Sequence, residues 1–324
     1  MSADADKLAA HYRRLLRVYP RDYRRQRGEE IVGTYLELAG ARRRWPSPRD
    51  AADLVAGSMR QRLRAAGPGL AGGLHLAGVF ALVAASALAA YWLSFVELTG
   101  PQWVPISHTV GPFRSLGGFV WLAWLAAAVV TAASPGRRSR RAVAGALMTS
   151  VVVVLIAPLT PYGRPALMAL LPQFALGLLS LGISGRAARP ARFAPLAAAA
   201  VTTAAAHLFY RPYAPGTFNY GVELGYRFWA RDLTPTVGLL LGLAGLLAAV
   251  TLGIRRRVDG LWTALILLVP VALCFVEPGA RRISGNGPWQ PAEFDDLAIA
   301  TVGLTLAAIT AAVGLSTLAR RLRS

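Results

Sequence analysis

Eight apolar runs, separated by short arginine-rich or aromatic-rich stretches, dominate the pattern of this 324-residue chain. They fall near 74–96, 115–133, 142–161, 166–184, 193–210, 235–254, 260–276 and 297–318. A helix needs about 20 mostly apolar residues to cross the hydrocarbon of a bilayer. No Asp, Glu, Lys or Arg falls inside these windows. One charge at a helix centre costs about 2.5 to 3.5 kcal/mol on insertion, so their absence from eight runs is a spanning pattern. The fifth run, FAPLAAAAVTTAAAHLFY, is the weakest because it is mostly Ala. The expected fold is all-α, a polytopic transmembrane bundle of about eight spans preceded by a small cytoplasmic three-helix domain.

That leading segment is polar but periodic. Leu8, Tyr12, Leu15, Leu16 and Tyr19 recur at helical spacing, and Pro20 ends the first helix. A second helix is predicted over about 21–40, with Tyr23, Ile31, Tyr35 and Leu38 on one side. The third begins at SPRD, where Ser47 caps, Pro48 takes the first helical position and Asp50 meets the positive helix end. Leu54, Val55, Met59 and Leu63 give it an apolar stripe. The resulting division is a cytoplasmic prefix (1–65), a Gly/Pro linker (66–73), a transmembrane domain (74–319) and a basic cytoplasmic tail (320–324). No cleavable signal peptide is expected, since the first apolar run begins only near 74 and is long enough to span.

The stretch RRLLRVYPRDYRRQRGEEIVGTYLEL resembles the N-terminal permease-prefix or HAAS-type helical module found ahead of many actinobacterial membrane proteins and some transporter permeases. The shared elements are Leu15, Leu16, Tyr19 and Pro20, then Tyr23-Arg24, then Gly28-Glu29-Glu30; Arg27 stands where the family often has an aromatic residue. The resemblance covers residues 8–65. It implies a partner-binding role for Tyr19, Pro20, Tyr23, Gly28, Glu29 and Glu30. It also implies a cytoplasmic partner such as a PadR-type regulator or a transporter ATPase. A cap that only aids insertion or folding is the alternative.

Composition agrees with a membrane class, at 55% hydrophobic and 16% charged. The net charge of +19 invites a nucleic-acid reading, which requires the positive residues on one soluble face. They are instead spread along the chain. With eight spans and an inner N-terminus, the inner loops carry Arg137, Arg138, Arg140 and Arg141, then Arg186, Arg189 and Arg192, then Arg255, Arg256 and Arg257, and finally Arg320, Arg321 and Arg323. Asp259 is the one acid among them. Lys and Arg stay cytoplasmic in short loops, so both termini are placed inside a bacterial inner membrane. The expected partners are the bilayer itself and anionic headgroups at the arginine clusters, with no direct nucleic acid. Cys274 is the single cysteine, so no internal disulfide forms.

The candidate chemistry is thin. GPGLAG at 67–72 matches a dinucleotide fingerprint formally but lacks the preceding strand, and Lys7, the one lysine, sits in no phosphate loop. His11, His75, His108 and His207 have no metal-ligand spacing, and GxSxG does not occur. No catalytic, cofactor or metal site is therefore assigned, and a non-enzymatic protein is expected. Two outer loops, 211–232 and 277–296, are rich in aromatic residues. They read as an interfacial belt or as a ligand surface, with His207, Glu223, Asp232, Glu293, Asp295 and Asp296 as candidate site residues. Pro158, Pro172 beside Gln173, and Pro270 are candidate helix breaks, and Gly238 with Gly242 makes a close-packing face. The function expected is a membrane-linked regulatory or signalling protein whose prefix binds a cytoplasmic partner. The alternative is a transporter or permease subunit for a small or lipidic substrate.

Overall fold

The computed structural model describes residues 3–19, 21–39, 45–65, 69–98, 109–183, 189–209, 222–285 and 294–321. It is all-helical, with no strand among the described residues. The chain divides into two compact units, Met1–Ala71 and Gly72–Ser324.

The first unit holds α1 (Ala3–Leu15) with a 3-10 turn (Leu16–Val18), α2 (Arg21–Ala39) and α3 (Pro48–Ala65). Its core is Leu8, Tyr12, Leu16, Tyr19, Val32 and Leu54, all nearly inaccessible to water. The start of α3 is a reciprocal cap: the Asp50 N–H donates to Ser47 Oγ and the Ser47 N–H donates to Asp50 Oδ2, each at 3.1 Å. Tyr12 Oη also donates to Asp50 Oδ2 at 2.9 Å, which pins α1 to the α3 cap. Two positions expected on apolar stripes face outward. Leu38 is 76% exposed because α2, at 19 residues, outruns the 13-residue α1. Val55 is 45% exposed because it follows Leu54, and consecutive helical residues point about 100° apart. The side chains of Met59 and Leu63 lie outside the described residues, as does Pro20.

In the second unit each apolar window is occupied by a helix: α4 (Leu70–Trp92), α5 (Gly117–Ala133), α6 (Arg137–Ile156), α7 (Leu167–Ser180), α8 (Arg189–Phe209), α9 (Val222–Ile254), α10 (Asp259–Leu273) and α12 (Phe294–Arg321), with α11 (Val276–Ser284) before the last. Among the described residues, four stretches are long and apolar enough to cross a membrane: Leu70–Leu98, Arg137–Leu159, Leu233–Ile254 and Asp295–Ala312. A fifth is reached if α10 and α11, bent by 47°, count as one broken span. The apolar helices α5 and α7 are shorter, at 17 and 14 residues. α4 is enclosed by its neighbours, with Leu82, Leu88 and Trp92 fully buried. α9 and α12 instead turn Leu239, Leu243, Leu247, Ile299, Val302 and Leu306 outward. Apolar surface of that extent is unfavourable in water and compatible with a membrane location.

The structure differs from the loop assignments. α4 starts at Leu70, inside the stretch read as linker, and Gly69 precedes it with a left-handed φ of 100°. α9 starts at Val222, so Glu223 and Asp232 are helical rather than loop residues. Charged residues lower hydropathy there without breaking the helix, and Pro235 is accommodated within it. The stretch 277–296 begins as α11, which ends at Gly285 in the left-handed conformation. Of the proline breaks, Pro158 lies in a 3-10 turn after α6, Pro172 is inside α7, and the bend follows α10 four residues beyond Pro270. Gly238 and Gly242 pack within the chain, against Cys274 and Val271 at the end of α10.

Candidate functional site

α4 ends in a π-helical turn, Leu93–Leu98, a form that recurs at functional sites. It carries Glu97, whose exposure is 1%. The Ser115 N–H donates to Glu97 Oε2 at 2.9 Å and the Ser115 hydroxyl donates to Oε1 at 2.5 Å. The Tyr226 hydroxyl donates to the same Oε1, and the Arg114 backbone adds a further hydrogen bond. Each hydroxyl in turn accepts from a group that can only donate: Ser115 Oγ from the Gly117 N–H at 2.9 Å, and Tyr226 Oη from Trp121 Nε1–H at 2.7 Å. With Glu97 as a carboxylate, which can only accept, both hydroxyls donate their own hydrogens to it.

The local sequence accounts for the tightness. A Cβ on Gly117 would lie 2.5 Å from Glu97 Oε1 and 2.6 Å from Tyr226 Oη, so only glycine fits at the start of α5. Trp92 packs on Tyr226 and Trp121 at ring distances of 5.3 and 6.3 Å, which shuts water out. A lone carboxylate in such surroundings costs several kcal/mol, and converging donors offset that cost. The cluster joins the end of α4, the start of α5 and the first turns of α9. Its lone pairs are taken up by these donors, so it acts as a latch between helices.

A second buried pair sits on α11, where Arg281 forms an ion pair with Glu277 one turn away; Glu277 is 3% exposed. Deeper in the bundle, Gln173 Nε2 donates to the Ala85 carbonyl at 3.1 Å. Gln173 Oε1, Ser86 Oγ and Trp92 Nε1 have no hydrogen-bond partner among the described residues.

Of the residues singled out in the first unit, Tyr19, Tyr23, Gly28, Glu29 and Glu30 are described. Tyr19 is buried and stacks on the half-buried Tyr23 at 5.6 Å, and Gly28 is buried. Glu29 is exposed and takes two hydrogen bonds from Arg13, at 3.0 and 2.9 Å, and Glu30 lies 3.8 Å from Arg27. The guanidinium of Arg13 holds the Glu29 carboxyl below its ordinary range.

Of the candidate ligand residues, the side chains of three are described. His207 is exposed on α8 with its ring 6.3 Å from Phe95, while Asp295 and Asp296 stand in the first turn of α12. The side chains of Glu223 and Asp232, and all of Glu293, lie outside the described residues. Among the described residues, no group of three or more His, Cys, Asp or Glu could hold a metal ion.

Glu97 falls just beyond the first apolar run, and neither it nor Ser115, Trp121 or Tyr226 stood out in the sequence. The available signal was an acid directly after an apolar run and inside the aromatic string YWLSFVEL. No family model matches the chain, and no curated protein or solved structure matches it.

Proposed function

We propose that the protein is a multi-span inner-membrane adaptor without enzymatic activity, with both termini in the cytoplasm. Its leading helical unit binds a cytoplasmic protein, with a PadR-type regulator as the partner class implied by the prefix resemblance. The observation that carries this reading is the closed core of the first unit. Leu8, Tyr12, Leu16, Tyr19, Val32 and Leu54 satisfy one another, yet Leu38, Trp45 and Val55 stay 76%, 69% and 45% exposed. Exposed aromatic and aliphatic side chains on a small, self-contained unit favour a docking role. In the second unit the buried carboxylate is committed to internal bonds, which fits an anchor better than a reaction centre.

Photo-crosslinking residues placed at Leu38, Trp45 or Val55 of the full chain test the reading in living cells. The same cytoplasmic protein should be captured from these positions and lost when Trp45 and Leu38 are both changed to Ser. No adduct at any position, together with normal growth and gene expression after deletion of residues 1–65, would overturn it.

A transport reading is favoured by a different observation, the polar interior of the bundle. The break between α10 and α11, with Gln173 Oε1 and Ser86 Oγ lacking partners among the described residues, resembles the broken helices that line solute sites. Gln173→Leu separates the two readings. A carrier loses uptake, whereas an adaptor keeps its partner and its regulatory output.

A further inference from the structure

A pocket of about 530 Å³ opens between α4 and α9 with the start of α10 as its floor. The volume falls within the roughly 300 to 1,000 Å³ of sites that bury small ligands. Its walls are graded. From α4 come Gly72, His75, Leu76 and Phe80, and from α9 come Ala244, Leu247, Ala248, Thr251 and Leu252; Arg257 and Asp259 complete the lining. The polar members, His75, Thr251, Arg257 and Asp259, sit at the end where α4 begins and α9 stops. Phe80 and Ala244 mark the apolar end. From Ala244 to Leu252 α9 rises about 12 Å, enough for the upper part of an acyl chain.

Close helix contacts keep this shape. Gly73 backs onto Trp262, and its Cβ position would lie 2.9 Å from the Asp259 carbonyl. Gly260 lies against the backbone of Ala248 and Ala249. α10 is thus held tightly at the floor, while α4 and α9 stand apart above it. Asp259 Oδ2 accepts from Arg257 Nε at 3.1 Å and also from Arg257 Nη2, and Asp259 is only 14% exposed, whereas Arg255, Arg256 and Arg257 are exposed at the same end. Within the lining Arg257 and Asp259 offset each other, and the positive excess at this end comes from Arg255 and Arg256, which flank the pocket without lining it.

We propose that this pocket is a binding site for an anionic membrane phospholipid, with one acyl chain between α4 and α9 and the phosphate at the exposed guanidinium of Arg257. An apolar wall that grades into an arginine-rich mouth matches a molecule with a hydrocarbon tail and an anionic head. The proposal rests on α4 and α9 lying in a bilayer and is independent of what the leading unit binds.

The test uses the full chain, purified in detergent and stripped of lipid. Thermal unfolding is followed while adding phosphatidylglycerol, phosphatidylcholine or inorganic phosphate, and native mass spectrometry counts bound lipid. Phosphatidylglycerol should raise the midpoint and remain bound as one molecule, with little effect from the other two. Arg257→Gln should weaken phosphatidylglycerol binding about fivefold and more than Arg255→Gln, since Arg255 does not line the pocket. Ala244→Phe should abolish binding by filling the apolar end.

As a check that needs no variant, phosphatidylglycerol with a photoreactive acyl chain should label the wild-type protein within 72–80 or 244–252. Equal stabilisation by phosphatidylcholine overturns the anionic headgroup. An equal shift with inorganic phosphate overturns the lipid in favour of a free-anion site. Labelling confined to other segments overturns the location.

Discussion

Removing one oxygen from the latch gives the most quantitative prediction. In Tyr226→Phe the ring keeps its place between Trp92 and Trp121, at 5.3 and 6.0 Å, so apolar burial hardly changes. Two hydrogen bonds disappear: the one donated to Glu97 and the one accepted from Trp121 Nε1–H. A hydrogen bond to a charged group contributes about 1.5 to 3 kcal/mol, and orphaning a buried donor costs about 1 to 3 kcal/mol. Because one hydroxyl serves both, the two overlap, and the expected loss is about 3 kcal/mol. At about 2 to 4 °C per kcal/mol for a unit of this size, the unfolding midpoint in detergent should fall by about 6 to 12 °C. Trp121→Phe removes the same Trp121–Tyr226 bond from the other side, so the double variant should cost clearly less than the sum of the singles. Additive effects, or a Tyr226→Phe loss under about 0.5 kcal/mol, would refute the converging network, because that is the range of ordinary surface changes.

Four further outcomes are expected. Leu54→Ala in the core of the first unit should cost about 2 to 5 kcal/mol, seen as faster amide exchange across α1 to α3, while Leu38→Ala should leave that exchange unchanged. Ser47→Ala removes one side of the α3 cap and should cost about 1 kcal/mol, read from exchange of the Asp50 amide. Glu29, whose carboxyl is held low by Arg13, adds stability above its unfolded value that is lost as pH falls through its folded one; Arg13→Gln should raise its titration midpoint by NMR. Gly117→Ala should disrupt the latch, since its methyl would meet both Glu97 and Tyr226; a circular-dichroism melt matching wild type would contradict that crowding.

Most of the helices were legible because exclusion of charge from a long apolar run is a local property, and all eight windows hold helices. The cap at Ser47 and Asp50 was legible for the same reason, since its partners are three residues apart. The latch was not, because Glu97 meets Tyr226 across 129 positions and no local pattern links them. Helix ends were also hidden: the charges of Glu223, Arg227 and Asp232 lower hydropathy as a loop would, yet α9 runs through them. Leu38 and Val55 show the limit of spacing, which defines a stripe but not how far its neighbours extend.

Sidedness carries the adaptor account, because a partner in the cytoplasm can be reached only if the leading unit and the arginine clusters share that face. Fusing one reporter ahead of residue 1 and, separately, another after Arg257 measures it. The account predicts that a fluorescent reporter folds at both positions while a periplasm-dependent phosphatase stays inactive at both. Phosphatase activity at either position would contradict it.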